Sequence, residues 1–537
     1  MSEVFDYVIV GAGSAGCVLA NKLSANPATT VLLIEAGPAD DNPLIHMPRG
    51  LGKLYTVGAT TYFYDVQRNA GKSATESWLR GRMLGGSSSL NGLMYQRGHQ
   101  EDYDHWERDL GLAGWGWSSF GRIFRTMEDH ELGANEHRGA GGPMSVSITK
   151  NHTLLMDKLI EAGGQLGLRH FQDASMPEQE GIGYINSTIR KGRRWSANKA
   201  FLEPVRARKN LTVMINTEAN RIKFEGRRAI GVECTRNGTA VEYRAGRDII
   251  LATGTMHSPK LLQLSGIGPA AHLQGLGIPV VQDSAEVGAN LREHLVFRIQ
   301  YRLSGDYSQN KEHSGWRIMY HGLRYMLTRG GLMSHPPYDV TAFVRTRKNL
   351  PRPDAQIVIG NMSMSIAEEG FTVDVKLEDE PGASIIGYNM RPESKGSVMI
   401  MSADPTAAPR VIANYLSDPR DRETAIGTVH FMRRLFEHPV VKPYVKAELL
   451  PGPGVQSDEQ ILAAYDKVSG PGYHAVGTCR MGSDAGSVVD SKLRVRGVGG
   501  LRVADISIFP TLVSGNTNGP AMAAAWHAAE VIQGDSK

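Results

Sequence analysis

The sequence predicts an α/β fold of two domains, the first of them built around a parallel sheet. An apolar run from Tyr7 to Val10 enters the glycine-rich loop Gly11–Gly16 with no intervening residue, and an alanine-rich helical pattern follows. A second apolar run, Val31 to Ile34, ends in Glu35. Because the 537 residues exceed what one hydrophobic core usually supports, a second domain is expected. This order of strand, glycines, helix, strand and acid is typical of a Rossmann-like dinucleotide-binding domain.

The spacing of the glycine-rich loop fits a bound pyrophosphate. Gly11 permits a tight turn, Gly13 lets phosphates approach the backbone, and Gly16 lets the helix pack closely on the strand. The N-terminus of that helix offers free N–H groups and the positive end of its dipole. Glu35 lies roughly 20 residues further on, where an acid binds a ribose hydroxyl group. FAD and NAD sites share this motif, and an ordinary strand–helix turn is the alternative interpretation.

The composition is that of an ordinary globular protein, with 41% hydrophobic and 21% charged residues. A net charge of +4 with no long basic run gives little support to nucleic-acid binding. The three cysteines lie far apart, which disfavours both a disulfide scaffold and a zinc site. The first strand begins at about residue 5, which leaves no room for a signal peptide, and no apolar run approaches a membrane span. We therefore expect a soluble, cytoplasmic protein.

A second glycine-rich motif follows a stretch of little periodicity. We interpret the chain between Glu35 and about residue 75 as a long, ordered excursion over the surface. The motif Gly85-Gly86-Ser87-Ser88-Ser89 then precedes an apolar segment that is compatible with a helix. It supplies small residues and backbone donors where a flat ring or a diphosphate must come close. The alternative, a flexible glycine–serine linker, is disfavoured because leucines and methionines flank the motif.

Two longer motifs identify the family that this chain resembles. Residues 81–91, Gly-Arg-Met-Leu-Gly-Gly-Ser-Ser-Ser-Leu-Asn, are similar to the first signature of the glucose–methanol–choline (GMC) family of FAD-dependent oxidoreductases. Residues 254–268 resemble the second signature, and the resemblance covers essentially the whole chain. It implies FAD rather than NAD. Some members attach FAD covalently through a histidine in the first signature. Because Leu90 occupies that position here, non-covalent FAD is expected.

The resemblance also implies how the chain divides into domains. We expect a discontinuous FAD-binding domain and an α+β substrate-binding domain with an antiparallel sheet over the flavin. The FAD-binding segments are expected to be 1–149, 190–293 and 470–537, and the substrate-binding segments 150–189 and 294–469. The sequence leaves open which side chains of the last segment line the substrate pocket.

Local patterns predict the elements between the motifs. Helices are expected from Trp106 to Glu128, from His152 to Leu166, and from Ser196 through about Ala207. The segment from Leu211 to Arg236 alternates as short strands with glycine turns. Asp248–Gly254 reads as a buried strand that should return the chain to the nucleotide-binding sheet.

His474 is the candidate general base. The segment Gly472–Gly482 resembles the catalytic histidine loop of the family, with Ala475 in place of the more usual proline. Oxidation of an alcohol requires removal of the hydroxyl proton while hydride leaves the adjacent carbon, and a histidine with a pKa near 6.5 suits this task at neutral pH. The resemblance therefore implies that His474 takes the substrate proton.

Three polar residues near the C-terminus have a functional and a structural interpretation. Asn516 matches the family position that holds asparagine or a second histidine, where an amide can hydrogen-bond the substrate oxygen; the alternative is an N-cap. Asp505 resembles a residue that meets the polar side of the flavin, and a capping aspartate is the alternative. For Asn518 we expect a cap or a flavin contact.

The resemblance implies that FAD contacts come from the two glycine loops, the strand ends, a meander position near the adenine and the C-terminal segment. The adenine residue is Asn220 by spacing, where valine is more usual. The expected FAD contacts are Gly11, Gly13, Ser14, Ala15, Gly16, Glu35, Ala36, Arg82, Gly85, Gly86, Ser87, Asn91, Gly92, Leu93, Asn220, Ala252, Gly254, Asp505, Ile506, Asn516 and Thr517.

These observations predict an FAD-dependent enzyme that oxidises an alcohol to an aldehyde. The substrate is expected to be a primary alcohol, aryl or medium-sized and apolar, with His474 and Asn516 as catalytic residues and hydride passing to flavin N5. The electron acceptor is oxygen or another molecule. Alternatives are a non-redox relative, such as a hydroxynitrile lyase or a light-driven decarboxylase, and a silent flavoprotein that acts as a binding module. The particular alcohol and the oligomeric state stay open.

Overall fold

The computed structural model describes residues 4–50, 58–365 and 377–535. Its first sheet, here called the nucleotide sheet, has seven strands. Their spatial order is Leu211–Met214, Val31–Ile34, Val4–Val10, Thr239–Leu251, Arg228–Arg236 and Thr217–Glu225, with Leu501–Val503 also paired to Thr239–Leu251.

The nucleotide sheet combines a parallel half with an antiparallel meander. Val4–Val10 pairs in parallel with Val31–Ile34 and with Thr239–Leu251, so the strand that enters the glycine loop lies between the buried strand Val31–Ile34 and the buried C-terminal end of Thr239–Leu251. Arg228–Arg236 pairs antiparallel with Thr239–Leu251 and with Thr217–Glu225. The predicted meander and the predicted return strand are both confirmed, and the α/β class with a Rossmann-like domain is confirmed with them.

The helix that follows the glycine loop packs on the nucleotide sheet and carries further helices. Ser14–Leu23 follows the glycine loop and packs against Asn518–Asp535, which in turn packs against Trp117–Met127. The C-terminal helix is buried on most of its circumference because its sequence is apolar and alanine-rich all round. The structure thereby brings the N-terminal glycine loop next to the start of the C-terminal helix.

The second large sheet, here called the substrate sheet, is antiparallel throughout, as the resemblance predicted. Pro419–Glu437, Asp458–Val468 and Leu154–Gln165 pack against it. Its strands, in spatial order, are Val445–Leu450, Leu295–Leu303, Gly382–Asn389, Ala355–Gly360, Val340–Val344 and Gly181–Tyr184, with Ser469–Pro471 also paired to Leu295–Leu303.

The stretch after Glu35 differs from the prediction. It contains the strand Thr61–Gln67, which pairs with Thr75–Gly81 and with Arg410–Ile412, and residues 51–57 lie outside the described residues. The strand alternates buried and exposed side chains and includes β-favouring aromatic residues, so a surface excursion describes only part of the stretch.

Two predicted helices have different bounds. The one expected from Trp106 to Glu128 is two helices, Gln100–Arg108 and Trp117–Met127, because the positive φ angles of Gly111 and Gly114 interrupt it. The helix expected to continue to Ala207 is a π-turn followed by a 3₁₀ turn that contains Pro204, which lacks the N–H that an α-helix needs. The helix expected from His152 to Leu166 is present as Leu154–Gln165.

The remaining elements are short or peripheral. The other α-helices are Pro43–His46, Gly254–Leu264, Ala270–Gly275 and Gly315–Thr328; the π-turn is Asn198–Leu202; the 3₁₀ turns are Pro48–Gly50, Gly86–Ser89, Glu203–Val205, Asn310–His313, Leu332–Ser334, Lys442–Tyr444 and Ile506–Ile508; and the other strands are Glu128–His130, Met144–Ile148, Asn186–Ser187, Ile189–Arg190, Arg193–Arg194, Ile267–Gly268, Gln282–Asp283 and Ser397–Met399.

Two large apolar cores support the two sheets. One contains the strands of the nucleotide sheet and its covering helices, and the other contains the strands of the substrate sheet. The segment boundaries given above for the two domains stay a prediction. In the part of the chain that the structure describes, every helix is too short or too polar to cross a bilayer.

Candidate active site

Most of the predicted site residues surround one cavity between the two sheets. It is lined by both glycine loops, by strand ends of the nucleotide sheet and by one face of the substrate sheet. The predicted residues that line it are Gly11, Gly13, Ser14, Ala15, Glu35, Ala36, Gly86, Ser87, Asn91, Gly92, Leu93, Ala252, Gly254, His474, Asp505, Ile506, Asn516 and Thr517.

Glycine is required in the first loop for two different physical reasons. A Cβ on Gly16 would lie 1.8 Å from the carbonyl oxygen of Gly11, and one on Gly11 would lie 2.6 Å from that of Ala252, so both are required by backbone packing. Backbone packing does not require glycine at position 13, because a Cβ added to Gly13 would meet no protein atom within 4 Å and the φ of this residue is −75°. Gly92 is likewise open and also lines the cavity. Space of this kind beside a helix N-terminus fits a pyrophosphate.

The second glycine loop packs directly on the first. The Gly85 N–H donates to the Ala12 carbonyl oxygen at 2.8 Å, and a Cβ on Gly86 would lie 2.7 Å from Cα of Gly13. Gly85, Gly16 and Arg82 are not among the lining residues of the cavity. Gly85 and Gly16 therefore act behind the lining, where they allow the two loops and the helix to approach one another.

Glu35 holds the first loop in place. Its carboxylate accepts from the Ala12 N–H at 2.8 Å and from the Gly37 N–H at 2.9 Å. Burial raises the pKa of Glu35 to about 7. Since each carboxylate oxygen has a second lone pair, the side chain can still accept from a ribose hydroxyl group.

Asn220 is another predicted FAD contact that does not line the cavity. Its amide donates to the Thr235 hydroxyl at 2.8 Å, and it lies at a bulge in the hairpin that pairs Thr217–Glu225 with Arg228–Arg236. The bulge shifts the register, and Ala219 lines the cavity instead. The adenine contact of Asn220 stays a prediction, and its neighbour Ala219 is the residue of this bulge that lines the cavity.

Asp505 has the capping role that the sequence offered as one alternative, and its flavin contact stays a prediction. It caps the turn Ile506–Ile508 by accepting from the Ser507 N–H, and it also accepts from the Gly254 N–H at 2.8 Å and the Ser258 hydroxyl at 2.5 Å. Asp505 also lines the cavity. Asn518 accepts from the Ser14 hydroxyl at 2.7 Å and so joins the N-termini of the two packed helices.

The predicted catalytic pair is in direct contact. Asn516 Nδ2 lies 3.0 Å from His474 Nε2, although the two residues are 42 positions apart. The other ring nitrogen of His474 lies 2.9 Å from Nδ1 of His294, and His294 Nε2 lies 2.8 Å from the carbonyl oxygen of Met390. A chain of three hydrogen bonds therefore runs from a backbone carbonyl to Asn516.

This chain determines which nitrogen of His474 carries a proton. A carbonyl oxygen only accepts, so His294 Nε2 must donate to Met390. Burial lowers the pKa of His294 to about 4, and the neutral ring then accepts at Nδ1 from His474 Nδ1–H. His474 Nε2 is left unprotonated, facing the Asn516 amide. Burial, and then the neighbouring His294 and Arg80, lower the pKa of His474 well below its ordinary value.

The orientation of Asn516 is set from its other side. The Tyr388 hydroxyl donates to Gln356 Oε1 at 2.5 Å, which turns Gln356 Nε2 towards Asn516 Oδ1 at 3.4 Å. The Asn516 amide N–H groups consequently face His474. The ring of Tyr388 also stacks on that of His294, with centroids 4.5 Å apart.

Sequence reasoning missed the residues that hold this pair, namely Glu293, His294, Gln356 and Tyr388. They come from strands of the substrate sheet and from the turn before it, far from His474 in sequence. The charged dipeptide Glu293-His294 immediately before the apolar strand Leu295–Leu303 is the signal that could have drawn attention to them.

Glu293 fixes the backbone on both sides of the histidine pair. Its carboxylate accepts from the N–H of His474 at 2.7 Å and from that of His294 at 2.9 Å, and Arg80 lies 3.7 Å away. Burial raises the pKa of Glu293 to about 7. This carboxyl group therefore carries a stability cost when it is ionised.

We expect the Glu293→Gln variant to show a flatter dependence of Tm on pH. The folded pKa of about 7 exceeds the ordinary 4.5, so the folded state binds more protons between these values and stability falls as pH rises through this window. The loss amounts to about 3 kcal/mol at most. Scanning calorimetry at pH 5 and pH 8 measures the difference in Tm, and the matched control is the exposed Glu136→Gln. Equal differences in wild type and Glu293→Gln would contradict this account.

The substrate sheet contributes an apolar wall opposite the loops. Alternate residues of its strands face the cavity, because side chains of a strand point to opposite faces in turn. These residues are Val296, Arg298, Val358, Ile386 and Tyr388, and Tyr338 lies just before the strand Val340–Val344.

Comparisons with known proteins agree with this geometry. Family models described as GMC oxidoreductase match residues 5–296 and 392–525. The chain is 36% identical to an alcohol dehydrogenase (acceptor) of Pseudomonas putida, covering 98% of this chain and 96% of that protein. It is 39% identical to an oxygen-dependent choline dehydrogenase of Rhizobium johnstonii, covering 98% and 95%.

Solved structures share the whole fold. Pyridoxine 4-oxidase from Mesorbium loti has a TM-score of 0.89 at 30% identity, with 99% of each chain covered. An Aspergillus oryzae formate oxidase, studied for its FAD modification, has a TM-score of 0.89 at 26% identity, with 100% of this chain and 99% of that chain covered. The protein therefore belongs to the GMC oxidoreductases, as an FAD-dependent enzyme that acts on CH–OH donors.

Proposed function

We propose that this protein oxidises a primary alcohol of apolar character to the aldehyde, with His474 as the general base and Asn516 as the group that orients the substrate oxygen. The observation that carries the proposal is the contact of 3.0 Å between the Asn516 amide and the unprotonated Nε2 of His474 at the wall of the cavity. A substrate hydroxyl group that takes the place of this contact can donate to Nε2 and accept from the amide.

The proton movements follow from the hydrogen bonds. His474 Nε2 takes the hydroxyl proton, and the resulting imidazolium keeps its Nδ1–H bond to His294. Bound FAD supplies the two-electron acceptor for the hydride that leaves the carbinol carbon. The alcohol thus loses one proton and one hydride and becomes an aldehyde. Leu90, an apolar residue of the lining, replaces the attachment histidine, which supports non-covalent FAD.

His294 is proposed to position the base. We expect the His294→Ala variant to lower kcat/KM about 100-fold, within the range that a positioned base contributes. Removal of the His294 ring also takes away one cause of the low pKa of His474. The acid limb of the kcat/KM profile should therefore lie below pH 6.5 in wild type and move to higher pH in the variant. An unchanged limb would contradict the role, even if the rate falls.

The lining favours a neutral substrate over a quaternary ammonium such as choline. Its described acids are Glu35, Glu218 and Asp505, and each is already bonded elsewhere: Glu35 and Asp505 by backbone N–H groups, and Glu218 by the Tyr62 hydroxyl at 3.0 Å. The substrate-sheet wall instead carries the Arg298 guanidinium among apolar side chains. A cationic substrate would therefore meet a like charge.

We expect 3,3-dimethylbutan-1-ol to be a much better substrate than choline, which has the same shape and one positive charge. The difference in kcat/KM should be about 100-fold or more, because a like charge in a desolvated site costs several kcal/mol. Both compounds are tested with the same FAD-loaded preparation. Comparable values for the two alcohols would contradict the assignment of a neutral substrate.

A product assay tests the proposed function itself. A panel of aryl and aliphatic primary alcohols is incubated with the enzyme in the dark, with oxygen or with an artificial electron acceptor, and aldehyde is quantified. Aldehyde with oxygen alone identifies an oxidase, and aldehyde only with the added acceptor identifies a dehydrogenase. Absence of aldehyde in both would reject the proposal in favour of a non-redox relative or a silent flavoprotein.

A further inference from the structure

The helix Gly315–Thr328 exposes an apolar face that the described fold does not cover. Among the residues that the structure describes, eight of the thirteen exposed large apolar side chains lie between Tyr307 and Leu327. Six of them belong to one side of the helix and are between 51% and 77% exposed. This face, here called the apolar helix face, consists of Trp316, Met319, Tyr320, Leu323, Met326 and Leu327.

The spacing makes the face continuous. Its residues are separated by three or four positions, so at 3.6 residues per turn they occupy about a third of the circumference. Tyr325 lies on the opposite side, where it is buried and its hydroxyl donates to the carbonyl oxygen of His46 at 3.2 Å. The helix is thus anchored by one side and presents the other to its surroundings.

The charges around the face are positive. The helix contains Arg317 and Arg324 and no acidic residue, and Arg329 follows directly. Arg317 and His321 both contact Glu312, at 2.9 and 2.8 Å, and this is the one acidic residue from position 310 to 330. On the helix, Arg317 and Arg324 border the apolar residues on one side.

We propose that the apolar helix face lies in the surface of a membrane that contains anionic phospholipids. An amphipathic helix with tryptophan and leucine on one side and arginine beside them is the pattern of an interfacial anchor. Tryptophan and tyrosine, here Trp316 and Tyr320, favour the headgroup region because one end of each ring is apolar and the other polar. Anionic headgroups complement Arg317 and Arg324, which border the face.

The charge pattern favours a lipid surface over a second copy of this chain. A twofold interface places the same patch on both partners, so two arginine-bordered faces would bring like charges together. A membrane carries the opposite charge. The inference does not depend on which alcohol the enzyme oxidises, because no residue of this face lines the cavity.

Vesicle co-sedimentation of the FAD-loaded protein tests the proposal. Vesicles are made of phosphatidylcholine alone or with phosphatidylglycerol. We expect wild type to pellet with the anionic vesicles. The triple variant Met319→Gln, Leu323→Gln, Leu327→Gln should bind these vesicles at least about tenfold more weakly. Arg324→Gln should lose part of the binding. High salt should weaken the binding of wild type to the anionic vesicles. The matched control is Leu154→Gln with Met401→Gln, each 49% exposed and on other elements.

Folding and alternative occupants are monitored in the same samples. Since the substituted residues are exposed and lie outside the catalytic site, alcohol turnover in solution should equal that of wild type, which separates loss of binding from loss of the fold. Wild type that stays in the supernatant with both vesicles would overturn the proposal. So would a wild-type dimer in sedimentation velocity that the triple variant abolishes, since the face would then be a self-interface.

Discussion

Replacing His474 with alanine is expected to lower kcat/KM for the preferred alcohol about 10³-fold, with FAD still bound. A positioned base contributes about 10²- to 10⁴-fold, and the low pKa of His474 keeps it neutral and able to accept a proton at physiological pH. The neighbouring His294 is not placed to replace it, because His294 directs its free nitrogen to His474 and its N–H to a carbonyl. Steady-state kinetics and the flavin content of the same preparation measure both parts of the prediction.

Two variants define the specificity of this result. His430→Ala removes a histidine whose side chain is 50% exposed, and its kcat/KM should equal that of wild type. The kcat/KM of Asn516→Ala should lie between those of His430→Ala and His474→Ala, about 100-fold below wild type. In this variant the base remains, but the substrate oxygen loses its hydrogen-bond donor. If His474→Ala retained most of its activity, a different base would have to be sought. If all variants and wild type were inactive, the result would favour a non-redox relative or a silent flavoprotein.

The Gly13→Ala variant is expected to fold normally and to bind FAD at least about 100-fold more weakly. The backbone conformation of Gly13 is one that alanine adopts readily, and the added Cβ meets no protein atom. It does enter the cavity at the helix N-terminus, where the pyrophosphate is expected. Flavin titration of the apoprotein, with a thermal melt for the fold, measures the two effects separately.

Other glycines provide the comparison for this variant. Gly164→Ala adds a Cβ that also meets no protein atom, but it lies in the helix Leu154–Gln165 away from the cavity, so FAD binding should not change. Gly16→Ala places a Cβ 1.8 Å from a backbone oxygen and should lose the fold as well as the cofactor. Full flavin content in Gly13→Ala would contradict the assignment of the pyrophosphate to this loop. FAD released intact on denaturation of wild type would support non-covalent binding.

The parts of the site that lie on local motifs could be predicted from the sequence. The first glycine loop, Glu35 and the second glycine loop owe their roles to turns and strand ends within a few residues of each motif, and the structure brings them to one cavity. The resemblance added His474 and Asn516, whose contact no local pattern could predict across 42 residues.

The remaining differences have physical causes that are not local. The position of Asn220 outside the cavity lining could not be predicted from spacing alone, because the bulge at this residue depends on the pairing partner. The break between Gln100–Arg108 and Trp117–Met127 depends on two glycines in a left-handed conformation, which helical periodicity does not detect. His294 and Gln356 gain their roles only when the substrate sheet meets the C-terminal segment.

The most direct test of alcohol oxidation is the anaerobic reaction of the enzyme with alcohols in the dark, followed at the flavin absorbance at about 450 nm. We expect an apolar primary alcohol to bleach the flavin of wild type rapidly, and that of His474→Ala about 10³-fold more slowly. Recovery on admission of air would identify an oxidase, and no recovery a dehydrogenase. A yellow protein that no alcohol bleaches would contradict alcohol oxidation, and a colourless one would contradict the cofactor.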